Sequence, residues 1–381
     1  MHNDTVSLSF RYRGLATLPV SFDQLTDLQN LDLTGNQLSA LPAWLASLAH
    51  LETLYLDANQ LTALPAWLGN LTALKELHVD ANQLAALSTT IGHLTNLETL
   101  SLYSNQLGSI PASLGHLTHL KAISLGKNLF TSLPESFWQL TNLRILNLAE
   151  NRLTSLSENI GNLTGLHTLD LGHNQLTALP ESLARLTNLT FFLYLNNNRL
   201  ISLSETLFEN LSKLRYLNIS DNRLITLPEH LGNLAHLQEL RLYNNQLTAL
   251  PISLGKLTNL QELHVMNNKL VYLPESTSNL KSLKELDLSN NSLTQLPESL
   301  ARLPGLRYLN LRNNRLMELP ASIGNLHSLK HLDLRANRLI ELPASIGGLV
   351  NLEKLDLRWN KLTSLPQWIQ HLEQRGCRIY V

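Results

Sequence analysis

The feature that most constrains this chain is an asparagine that returns about every 23 residues, at Asn36, Asn59, Asn82, Asn105, Asn128, Asn151, Asn174, Asn198, Asn222, Asn245, Asn268, Asn291, Asn314, Asn337 and Asn360. Around each stands one frame, as in Leu51-x-x-Leu54-x-Leu56-x-x-Asn59-x-Leu61. Self-similarity at such a period marks stacked units, each burying its apolar side only against its neighbours, so 381 residues need not be divided among separate hydrophobic cores. Leu54 and Leu56 alternate with Tyr55 and Asp57, which predicts a short strand with leucines inward and variable residues outward. An asparagine amide both donates and accepts, so it can satisfy backbone groups left open where that strand ends. The asparagine column is therefore expected to be scaffold.

The second half of each repeat reads like Leu227-Pro228-x-x-Leu231-Gly232-Asn233-Leu234, and thirteen of the 14 prolines follow Leu or Ile at this place. Proline fixes φ and stops the strand, which sends the chain onto the back as short helical turns or extended segments. Ser88, Ser157 and Ser204 replace it in three repeats and are suited to capping such a turn through the hydroxyl.

These motifs resemble the leucine-rich-repeat family over nearly the whole chain. The Leu-Pro-x-x-Leu/Ile-Gly-x-Leu back is similar to that of cytoplasmic scaffolds such as the Ras-group repeat proteins, and of bacterial repeat proteins, some delivered into host cells. The resemblance implies an α/β solenoid, a horseshoe with a parallel sheet of about 16–17 short strands on its concave face and short helical or extended segments on its convex face. It also implies protein recognition on the concave face. The expected organisation is a single solenoid over residues 1–381, with an N-terminal capping repeat at 1–27, regular repeats at 28–362 and a C-terminal capping segment at 363–381.

Both ends break the pattern. Val6 to Leu15 keeps the spacing but has Thr5 where leucine belongs and Arg13 where asparagine belongs, as suits an end repeat facing water. Ile379 and Val381 fall on the inward positions one residue late, which predicts a closing strand within Gly376 to Val381, with Trp368 and Cys377 covering the last repeat. In the middle, Leu189 to Leu193 and Leu203 to Leu211 are each one residue long. A bulge with a local change of curvature and a neutral insertion with Phe191 and Phe192 folded under the sheet edge fit equally well.

No block interrupts the repeat to supply catalytic chemistry: there is no Gly-rich phosphate loop, no His-Glu-x-x-His and no Gly-x-Ser-x-Gly. His116 and His119 have ligand-like spacing without a third ligand in sequence, and Cys377 has only four residues after it. The expectation is a non-enzyme without cofactor or metal. A formal net charge of −1 offers no general pull on nucleic acid or an anionic membrane, and neither is expected as a partner. One cysteine excludes an intramolecular disulfide and favours a reducing compartment, so a cytoplasmic monomer, or one exported by a signal-less route, is expected. Charge is uneven, however: residues 1–190 hold 8 basic and 14 acidic side chains, and the remainder 21 and 16.

Function is then expected on the exposed strand positions. Tyr55, Asp57, His78, Asp80 and Tyr103 form an acidic-aromatic patch, followed by a bare floor at Gly126, Ala149 and Gly172. Tyr194, Tyr216, Arg241, Tyr243, His264 and Met266 come next, rich in the side chains that carry interface energy. Last is a ladder of Arg312, Arg335 and Arg358 flanked by Tyr308 and Trp359. Two readings fit the ladder: internal pairing with Asp333 and Asp356, or an acidic segment or phosphate on a partner. A protein partner is expected, with an acidic one docking from Tyr194 to Arg358. A bacterial effector acting on host proteins and a receptor for a small molecule or glycan are the alternatives. Trp44 and Trp67, one repeat apart on the back, are expected to pack across adjacent turns.

Overall fold

A computed structural model describes residues 6–18 and 25–381, which form two compact units, Met1–Leu176 and Thr177–Val381. Among the described residues the first unit has strands β1 (Val6–Ser9), β2 (Leu28–Asp32), β3 (Thr53–Tyr55), β4 (Glu76–His78), β5 (Thr99–Ser101), β6 (Ala122–Ser124), β7 (Ile145–Asn147) and β8 (Thr168–Asp170). The second has β9 (Phe192–Tyr194), β10 (Tyr216–Asn218), β11 (Glu239–Arg241), β12 (Glu262–His264), β13 (Glu285–Asp287), β14 (Tyr308–Asn310), β15 (His331–Asp333), β16 (Lys354–Asp356) and β17 (Arg378–Tyr380). Within each unit every strand runs parallel to the next. The inward leucines are in register, as in Leu54 with Leu77 and Leu240 with Leu263. All four are 0% exposed, so each repeat's core is closed by its neighbours.

The asparagine column does what its chemistry suggests. Asn245 Nδ2 donates to the carbonyls of Ile219 at 3.0 Å, Leu242 at 3.1 Å and Tyr243 at 3.4 Å, and its Oδ1 accepts from the Leu224 amide at 3.0 Å. One buried side chain thus ties two consecutive repeats. The residue before each asparagine turns left-handed, with φ of 52° at Ala58 and 61° at Trp359, a conformation the sequence frame did not announce.

Among the described residues the backs of the repeats from Ala43 to Gly348 are single turns of 3₁₀ helix, mostly entered by proline in extended conformation, as Pro228 with φ −69° and ψ 148°. Ser88, Ser157 and Ser204 accept from the amides of Thr90, Asn159 and Thr206, which proline cannot do. A Cβ at Gly232 would stand 2.5 Å from the Ser253 carbonyl, so glycine is what lets successive turns stack this closely. At Thr277, where most repeats place leucine or isoleucine, the side chain is 0% exposed and its hydroxyl has no hydrogen-bond partner. Trp44 and Trp67 are half-buried on this back.

In the first described repeat Leu8 and Phe10 are only half-buried, and Arg13 and Leu15 give their amides to Asn36 Oδ1. The Thr5 position lies outside the described residues. The other end has a feature no repeat predicted, an α-helix α1 (Trp368–Gln374) burying Ile369 and Leu372. Ile379 pairs with Leu355 in the closing strand and Cys377 is buried, but Val381 is 64% exposed and fills no inward position, because the strand ends before it. Phe191 and Phe192 are likewise exposed, at 45% and 40%, not folded under the sheet. The extra residue is taken up before β9, which leaves Leu193 inward and turns Phe192 and Tyr194 out.

Candidate interaction surface

The two units carry different strand faces. In Met1–Leu176 the acidic groups are occupied: Asp57 Oδ1 accepts the Asp80 amide at 2.7 Å, and Asp80 Oδ1 accepts both the Ser101 hydroxyl and the Tyr103 amide at 2.7 Å. Burial raises the Asp57 carboxyl above its usual range. Tyr55 donates to Glu76 at 3.1 Å and lies 4.7 Å from the His78 ring. The floor expected to be bare is not. A Cβ at Gly126 would stand 2.9 Å from the Tyr103 ring, so the missing side chain is the seat of that ring. Tyr103 then reaches on to donate to Glu150 at 2.7 Å, and that hydrogen bond, then burial, push its phenol up to about 12.

In Thr177–Val381 aromatic rings gather. Phe192 stacks on Tyr194 with centroids 5.6 Å apart, and Tyr216 meets Phe192 at 5.5 Å and Tyr194 at 5.1 Å. The Arg241 guanidinium lies 5.5 Å from the Tyr216 ring centre and donates to Glu239 at 2.6 Å. Burial drives the Tyr216 phenol up to about 12. For Arg241 burial, the largest single influence, acts downward, but the Glu239 bond and the charges of Tyr216, Glu239 and Tyr243 together outweigh it and the pKa is raised. Tyr243 and Met266 are half-buried on neighbouring strand ends, and His264 sits 3.3 Å from Glu262. Of the expected residues the structure brings Tyr194, Tyr216 and Arg241 into one cluster. The sequence reading missed Phe192 as a surface group and Glu239 and Glu262 altogether. The last two were legible, since each stands two residues before Arg241 or His264 and hence on the same strand face.

Ligand atoms of Glu239, Glu262 and His264 lie within 4.8 Å of one another, the arrangement among the described residues that could hold a metal. Arg241 already balances Glu239 and His264 rests on Glu262, so the charges are served without one.

The arginine ladder divides. Arg335 forks onto Asp333 and lies 3.4 Å from Asp356, and Arg358 donates to Asp356 at 2.9 and 2.7 Å. Asp356 is 0% exposed; burial alone would raise its pKa, but the Arg358 bonds and the two guanidinium charges hold it below the carboxylate range. Arg358 also faces Trp359 at 5.4 Å and Tyr380 at 5.1 Å. Internal pairing is thus the arrangement at Arg335 and Arg358. Arg312 is exposed and has no carboxylate partner among the described residues. Tyr308 packs edge-on to His331 at 4.7 Å beside a depression of about 200 Å³ that Asp287, Asp333 and Lys354 also line.

His119 Nδ1 contacts the Thr95 carbonyl at 2.9 Å on the exposed back. No helix among the described residues is long and apolar enough to cross a membrane.

Comparison with known proteins agrees with this architecture. Leucine-rich-repeat families match at residues 16–61, 72–130, 95–153, 141–185, 202–303 and 294–374. No protein with a curated description matches the chain. Among solved structures, a leucine-rich-repeat protein of Leptospira interrogans is similar with 36% identity and a TM-score of 0.91, over 99% of this chain and 96% of that one. A plant peptide hormone receptor, solved with its peptide RGF2, shows 30% identity and a TM-score of 0.74 over 94% of this chain and 63% of its own. Drosophila Toll, solved with Spatzle, shows 27% identity and a TM-score of 0.78 over 89% and 48%. Repeat frame, parallel ladder, asparagine ties and this similarity coincide: the chain belongs to the leucine-rich-repeat family, whose fold is generally a non-enzymatic binding scaffold.

Proposed function

We propose that the chain is a single non-catalytic interaction module that binds a protein partner, as a monomer, on the strand face of Thr177–Val381. The observation that carries this is the ring cluster Phe192, Tyr194 and Tyr216 with Arg241 over it. It combines the side-chain types in which interface energy concentrates, and Phe192 stays 40% exposed. The contact extends toward Tyr243, His264 and Met266, with Tyr308, Arg312 and Trp359 at its far side. Arg335 and Arg358 contribute as neutralised pairs, so they fix the surface more than they attract an acid. Relatives solved with a peptide hormone and with Spatzle support a protein or peptide as the class of partner.

A receptor for a small molecule is less well supported, because the depression beside Tyr308 holds about 200 Å³, below the roughly 300–1,000 Å³ of ordinary ligand pockets. The single buried cysteine favours a reducing compartment, the cytoplasm or a host cell reached by a signal-less route. The test is capture of partners from lysate by the purified chain and by a variant with alanine at Tyr216, Arg241 and Tyr243. A specific partner lost by that variant, with thermal unfolding unchanged, supports the site. Loss only on substitution of Tyr55 and Tyr103 would place the contact in the first unit instead.

A further inference from the structure

Six of the second unit's cations lie off its strand face. One residue after the asparagine the backbone amide bonds to the preceding repeat. The amides of Arg223, Lys269, Arg315, Arg338 and Lys361 donate to Leu200, Leu247, Leu293, Leu316 and Leu339 at 2.8–2.9 Å. These bonds line up from repeat to repeat along the edge of the unit. The leucine that follows is inward in nearly every repeat, so its two neighbours in the chain point out on the same side.

What stands there differs sharply between units. The first outward column carries Arg199, Arg223, Lys269, Arg315, Arg338 and Lys361 in the second unit, interrupted by Gln246 and Ser292, against Gln37, Gln60, Gln83, Gln106, Leu129, Arg152 and Gln175 in the first. The second column carries Ile201, Ile225, Val271, Met317 and Ile340, exposed by 60, 53, 45, 58 and 47%, with Thr177, Thr248, Thr294 and Thr363 at the other repeats, where the first unit has only serine, threonine, alanine or glycine. None of the six cations has a carboxylate within 4.0 Å among the described residues. The glutamates of the nearby back turns are otherwise engaged: Glu229 accepts the Ile252 and Ser253 amides, and Glu298 that of Ser322.

We propose that this edge is a docking surface for an acidic amphipathic helix. The edge presents two parallel rows, one mainly cationic and one mainly aliphatic, whose positions advance by about 4.8 Å per repeat, the spacing of hydrogen-bonded strands, and both rows are broken at the repeats of Asn245 and Asn291. A partner must offer an acidic row beside an apolar row at nearly the same step, and a helix with a pitch of about 5.4 Å does so where its charged and apolar faces meet. An anionic bilayer fits less well. The rows are narrow, and Glu318 and Glu341, exposed directly after Met317 and Ile340, would be pressed against its phosphates. The inference deepens the protein-binding reading by naming the chemistry of a second contact.

The experiment uses a synthetic helical peptide of about 23 residues, with glutamates along one border of a leucine face, a permuted peptide of equal composition, and vesicles of phosphatidylcholine with phosphatidylserine. The full chain binds the patterned peptide and not the permuted one, and binding weakens as salt rises. Arg223→Ser, Arg315→Ser and Arg338→Ser together lower the affinity at least about tenfold, and Ile225→Ser with Met317→Ser and Ile340→Ser does so at high salt as well. Equal binding of both peptides, indifference to both sets of substitutions, or binding of vesicles without peptide overturns the proposal. Substitution of Tyr216, Arg241 and Tyr243 leaves peptide binding intact. Failure of the strand-face site therefore shows in the lysate experiment, and failure of the edge shows here.

Discussion

The first and second units are built on one repeat, yet they spend their outward residues differently. In Met1–Leu176 the strand-face polar groups turn back onto the protein, Asp80 onto two donors and Tyr103 over Gly126 to Glu150. In Thr177–Val381 rings stay on the surface, the strand-face arginines are paired at one end, and unpaired cations line the edge. A surface that satisfies itself has little left for a partner. That difference is the ground on which the partner is proposed to dock on the second unit.

The comparison breaks most readily at Asp356. If the arginine ladder is structural, Asp356→Asn costs about 3 kcal/mol, because a buried charge pair loses one member. The folded pKa is depressed, so the contribution is present above the unfolded carboxylate value and is lost as pH falls through the lower folded value. Denaturant titrations of both proteins at neutral and acid pH should converge at the acid end; an unchanged gap would show that pairing is not the source.

Asn82→Ala and Asn245→Ala should each cost roughly 2 kcal/mol, since both strip several buried backbone groups of their partner. Equal losses by calorimetry sharpen the claim that scaffold is common and surface is not. Thr277→Val should stabilise by about 1 kcal/mol, as an orphaned hydroxyl leaves a closed core, and a lower melting temperature would point to an unrecognised partner for it. The smallest effect is expected at Gly126→Ala, which lifts the Tyr103 ring from its seat. Ultraviolet titration should then find one of the phenols near 12 shifted down toward 10. In the unmodified chain the raised values of Tyr103 and Tyr216 mean stability that is full below about 10 and declines as pH rises through 12.

Much of the candidate site is readable in the sequence because a strand of period two turns alternate residues outward, which places Tyr194, Tyr216 and Arg241 on one face. Their clustering was not readable. Phe192 joins them only because the inserted residue is absorbed ahead of β9, and an insertion can be accommodated on either side of a strand. Nor could sequence choose between a paired and a free arginine ladder, since both placed Asp333 and Asp356 on the same face. Burial of Asp356 to 0% exposure, under two guanidinium groups, settled that.

The sequence by itself determined the repeat, its parallel ladder and the inward leucines, because these follow from local periodicity and from nearest-neighbour stacking, which every repeat restates. It also determined the turn chemistry, proline against serine, from the presence or absence of a hydroxyl. Only the tertiary structure decided which outward groups are already satisfied and which are left for a partner. That depends on distances of a few ångströms between residues 21 to 47 positions apart, such as Tyr103 to Glu150, and a side chain's reach across repeats is not encoded in any one of them. It likewise placed the helix Trp368–Gln374 where another back turn would stand, with Ile369 and Leu372 buried.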